Sequence, residues 1–132
     1  MIKVLRWLTR ISGLCALALG TILWVAPGML GIFAAALQVH MTLGGIMVLA
    51  LAILAVWALI DRVRIPAAVV GLVWAAATVL VGTLQDWWVA GGGHFGIALI
   101  HPLLGIGAIG LAEMLAAALT RSKLIRKRAS LA

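Results

Sequence analysis

Apolar residues come along this chain in long blocks, not in the short alternations of a soluble domain. One block fills Ile11 to Val25, a second extends from Met29 to Ile60, and a third follows Pro66 as far as Leu84. A fourth, from about 97 to 120, is interrupted mainly by His101 and Glu113. Crossing a hydrocarbon core takes ~20 residues of α-helix, so each block is long enough to do it. The pattern predicts spans at about 5–25, 36–60, 66–84 and 97–120, with a polar, basic tail at 121–132. The expected fold class is all-α, a four-transmembrane-helix bundle.

The breaks between blocks carry their own signals. Ala26-Pro27-Gly28 ends the first helix, and Gly91-Gly92-Gly93 separates the third from the fourth. Pro66 suits the first turn of the third helix, where a missing N–H costs nothing. Residues 29–39 stay apolar, so the second helix is either long and tilted or preceded by a short helix at the outer interface. Pro102 marks a helix start or a kink.

Charge then fixes the expected orientation. Asp, Glu, Lys and Arg make up 10% of the 132 residues, whereas a soluble domain carries ~25%. No Lys or Arg lies between Arg10 and Arg62, or between Arg64 and Arg121. Basic residues thus stand at every second membrane boundary, which by the positive-inside rule puts both termini in the cytoplasm. The basic excess therefore faces lipid headgroups and not nucleic acid. The first segment resembles a signal peptide in outline, but its removal would leave three spans and a charge pattern at odds with itself, so it is expected to be retained. Cys15, the single cysteine, has no internal disulfide partner and is expected to pack as a small residue.

Two histidines stand out against this background. His40-Met-Thr-Leu-Gly44 and His101-Pro-Leu-Leu-Gly105 open the second and fourth blocks with Leu and Gly at matched offsets. A shared organisation, with Gly13-Leu14 answering Gly71-Leu72, suggests two duplicated helical hairpins related by an axis along the membrane normal. His40 precedes Arg62 by 22 residues and His101 precedes Arg121 by 20. At ~1.5 Å per residue both imidazoles lie roughly 30 Å from the inner boundary, at one level near the outer face. An ionisable group at that depth is expensive and invites a function. Interfacial helix capping is the plainest one. Axial ligation of a single b-type haem by His40 and His101 is another, with Gly44 and Gly105 clearing room one turn below. A copper or zinc site adding His94, and Met29, Met41 or Asp86, is a third. His94 follows three glycines and is otherwise a loop residue.

His40-Met-Thr-Leu-Gly-Gly, followed by a Leu/Ala/Val helix that ends in Trp57 and Arg62, resembles the haem-ligating helices of bacterial cytochrome b561-like membrane proteins. The likeness covers about twenty residues around His40 and fewer around His101. It implies a four-helix bundle with bis-histidine haem that exchanges electrons with quinol or another redox partner. That family commonly holds two haems on four histidines. Here there are three histidines and none near the inner side, so the resemblance implies one haem at most.

Glu113 is the other costly residue, ~12 Å inside the inner boundary by helical rise. Lacking a Lys or Arg deep in any span, it is expected to be neutralised or to bond across helices to Thr78 or Ser12, or to serve a proton path. Gly105-Ile-Gly-Ala-Ile-Gly110 spells a dinucleotide motif but sits in an apolar helix without a preceding strand, so it is a packing feature. Trp74, inside the third span, faces lipid or fills a gap. With short loops and few polar groups the chain is not expected to be an enzyme on its own. An electron carrier and a small accessory or anchor subunit of a larger membrane complex, or of a homo-oligomer, are the leading alternatives; a transporter is disfavoured.

Overall fold

The computed structural model describes residues 1–25, 33–89 and 94–131, with side chains at all of these except 33, 85–89, 94, 95, 97 and 98. Four helices account for nearly all of it: α1 (Ile2–Val25), α2 (Phe33–Ile60), α3 (Ile65–Val89) and α4 (His94–Ala129). Among the described residues there is no strand. Each helix contains a stretch long and apolar enough to cross a membrane. Their outward faces carry Leu14, Leu49, Val73 and Leu103, all more than half exposed. Water would not tolerate so much apolar surface, and a bilayer covers it. The chain is a multi-pass membrane protein of four helices.

Helix bounds differ from the expected spans mainly at two places. α2 is one continuous helix from Phe33, 28 residues long. That is longer than a bilayer needs and in keeping with the long-helix alternative for 33–39; residues 29–32 and the Ala26-Pro27-Gly28 break lie outside the described residues, as does Gly91-Gly92-Gly93. α4 begins at His94, passes through Pro102 and takes in the basic segment. Pro102 is therefore not the helix start that was one of its two expected roles. The tail remains helical because it lacks Gly and Pro after Gly110, and because Arg126, Lys127 and Arg128 in the last turn complement the helix dipole.

The α2–α3 turn shows how the charged end is closed. Val63 N–H donates to Ala58 O at 2.8 Å and Arg62 N–H to Leu59 O at 3.1 Å, the paired bonds that cap a helix C-terminus. This cap needs a left-handed residue, usually glycine, and here Arg62 takes it at φ 53°.

Each helix packs on the next, α4 returns to α1, and α2 and α4 also touch across the bundle. Alanines make that short diagonal possible. Ala55, Ala58, Ala108 and Ala116 are fully enclosed, together with Leu51, Leu54, Leu115 and Leu119. Small residues at helical spacing let backbones approach where lipid supplies no hydrophobic drive. Trp74 belongs to this packing: its Nε1–H donates to Leu104 O at 2.8 Å, and the indole lies against Gly107. The glycine-rich motif of α4 thus seats a tryptophan. Cys15, by contrast, is exposed on the outward face of α1, so it does not pack in the interior as expected.

Candidate functional site

His40 on α2 and His101 on α4 meet across the short diagonal, with ring centroids 6.0 Å apart and planes inclined at 59°. The sequence placed them at one level, and the bundle brings them opposite each other. Each ring also leans on a glycine of its hairpin partner. A Cβ at Gly20 would come within 2.7 Å of His40 Cε1, and one at Gly82 within 3.1 Å of His101 Cε1. These two glycines were not singled out from the sequence. The signal was there, since each lies about twenty residues before its histidine. Gly13 and Gly71, the pair that the sequence aligned, sit at different levels: Gly13 abuts Met47 and Ile109, and Gly71 abuts Leu51, Ala55 and Leu115.

The two imidazoles differ in their bonding. His40 Nδ1 is 2.9 Å from Ala16 O, a contact that fixes Nδ1 as the donor and leaves the lone pair on Nε2. Such a bond to a backbone carbonyl is the usual way a ligating histidine is oriented. His101 Nδ1 is buried and has no partner. Among the described residues, no hydrogen bond engages Nε2 of either ring.

One turn below the pair, each helix carries a half-buried glycine. Gly44 and Gly105 stand four residues after their histidines, on the same helix faces, and a Cβ at either would meet nothing within 4 Å. The enclosed core starts at Met47 and Ala108, each seven residues on, so about 10 Å of helix separates it from the imidazoles. Among the described residues, no third His, Cys, Asp or Glu joins the histidines to form a metal-holding group. Of the other donors proposed from sequence, Met41 is exposed on α2, while Met29 and the side chains of His94 and Asp86 lie outside the described residues.

Glu113 departs from expectation. It is ion-paired with two arginines of α1: Arg6 Nη2 lies 2.6 Å from Oε2, Arg10 Nη2 donates to Oε2 at 2.7 Å, and Arg10 Nε bonds Oε1. Neither Thr78 nor Ser12 reaches it, because their hydroxyls donate to Trp74 O and Leu8 O of their own helices. Sequence reasoning treated Arg6 and Arg10 as boundary charges. Long side chains four residues apart on α1 instead reach one carboxylate on α4. The cluster ties the first helix to the last, with both Glu113 carboxylate oxygens engaged by the arginines.

The fold and site together define a class: a four-helix membrane bundle with a half-buried imidazole pair toward the end opposite its basic residues. No family model, curated protein or solved structure matches the chain.

Proposed function

We infer that the histidine pair is the axial-ligand set for one b-type haem, and that the chain is a single-haem electron carrier of the cytoplasmic membrane. The observation that carries this reading is the 6.0 Å spacing of the two rings. Two imidazoles that held one metal ion between them, each through a metal–nitrogen bond of ~2 Å, would stand about this far apart. Three further features support it. His40 is held by Ala16 O with Nε2 free. Gly44 and Gly105, one turn along, present no side chain beside the rings, and a Cβ at either would meet nothing within 4 Å. A haem brings four equatorial nitrogens of its own and needs just two from the protein, whereas zinc or copper sites need three or four.

When bound, the haem supplies one-electron transfer, with quinol or a redox protein at the outer face as the partner class. The protein's part is to orient His40 through Ala16 O, to hold His101 against Gly82, and to keep the rings at one height. Both termini are assigned to the cytoplasm by the positive-inside pattern. A C-terminal alkaline phosphatase fusion is then inactive, and a fluorescent protein at the same place is bright.

The test is optical. Protein purified from membranes with haem in supply should show a Soret band that shifts on reduction, and His40→Ala and His101→Ala should each remove it while helicity is retained. Colourless wild-type protein that co-purifies with larger subunits would replace this reading with the accessory-subunit one.

A further inference from the structure

A groove of about 530 Å³ runs along α4 at the charged end, between that helix and the α2–α3 turn. Its floor is one helical stripe: Met114, Ala117, Ala118, Arg121 and Ser122 follow at alternating intervals of three and one residues along the same face. The stripe changes character on the way out. It starts apolar and shallow at the alanines and becomes cationic and hydroxylated at Arg121 and Ser122.

The opposite wall supplies a third element. Arg64, held at φ 49° in the left-handed region, directs its Nη1 to Met114 Sδ at 3.6 Å. A thioether is a weak acceptor and leaves the guanidinium's charge unanswered. Among the described residues, neither Arg64 nor Arg121 pairs with a carboxylate. Arg126, at the rim, is by contrast engaged by Asp61, with Nη1 3.5 Å from Oδ1. The groove thus presents two unpaired guanidinium groups and a hydroxyl above an apolar channel that descends toward the membrane interior.

We propose that this groove binds an anionic diacyl phospholipid, its phosphate between Arg64, Arg121 and Ser122 and an acyl chain over Met114, Ala117 and Ala118. Charge and polarity match end to end. The guanidinium forks suit phosphate oxygens, the alanines clear a lane for a chain, and the order along α4 is that of a lipid from headgroup to tail. The inference rests on the membrane assignment alone and is independent of the histidine pair.

Native mass spectrometry of the full chain in detergent tests it, with phosphatidylglycerol, phosphatidylcholine of the same chains and inorganic phosphate as probes. Wild-type protein should retain phosphatidylglycerol and neither of the others. Arg64→Gln with Arg121→Gln should weaken retention by roughly tenfold or more, taking about one basic contact's worth from each. Ala118→Leu, which changes no charge, should also lower retention by filling the lane, and it decides the matter if the double variant does not fold. Lys123→Gln with Lys127→Gln removes the same charge from the other side of α4, beside Lys3, and should leave retention unchanged. Equal loss in that control would mean diffuse surface attraction, and equal binding of phosphatidylcholine or free phosphate would mean no such site; either result overturns the proposal.

Discussion

The two ends of this bundle are built on different principles. Toward the charged end, leucines and alanines of α2, α3 and α4 interlock without exposure, and the Arg6–Glu113–Arg10 cluster fastens α1 to α4. Toward the other end the enclosed core gives way to glycines, an imidazole pair and a buried nitrogen without a partner. Packing holds the first region together. The second gives up packing for polar groups and open space, the kind of local inconsistency that marks a site. A second contrast is nested within it. His40 has Ala16 O, whereas its counterpart His101 has no such acceptor, so the two hairpins repeat a contact with glycine but not a hydrogen bond.

Six substitutions would break or sharpen this comparison, each read as a change in unfolding free energy in mixed detergent. Leu54→Ala, deep in the closed region, should cost about 2–3 kcal/mol. That is the low part of the range for buried leucines, because lipid removes much of the transfer term. Glu113→Gln should cost roughly 1–2 kcal/mol, since it leaves two arginines facing one another without a counter-charge. Adding Arg10→Gln should recover part of that loss, and a double-mutant cycle without coupling would dissolve the cluster as a fastening. In the open region the sign should reverse. His101→Leu removes the unpartnered nitrogen and should stabilise the haem-free protein by about 1 kcal/mol, while abolishing any Soret band. Smallest of all, Gly44→Ala should gain a few tenths of a kcal/mol from helix propensity, because nothing stands over it. Gly20→Ala, which would press on His40, should lose stability instead.

Much of the architecture was legible in the sequence because the bilayer imposes a length. Four apolar blocks of spanning size, punctuated by Pro66 and by basic residues, are enough to give four helices of the observed order. The equal height of His40 and His101 followed from counting residues to the basic boundaries, since helical rise is constant. Other features were not readable. Cys15 faces outward because its angle about α1 depends on which neighbours pack there. Trp74 could have faced lipid, and it turns inward because Gly107 offers a seat on α4. Glu113 looked isolated since its partners lie 103 and 107 residues away, near the other end of the chain.

The sequence by itself determined the number of helices, their order and the position of each polar group along its helix, because hydropathy and rise per residue act locally along the chain. Rotation about each helix axis, and the choice of which helices share the short diagonal, belonged to the tertiary structure. Both depend on how alanines and glycines of distant segments fit together, and that fit turned two histidines at one height into a facing pair.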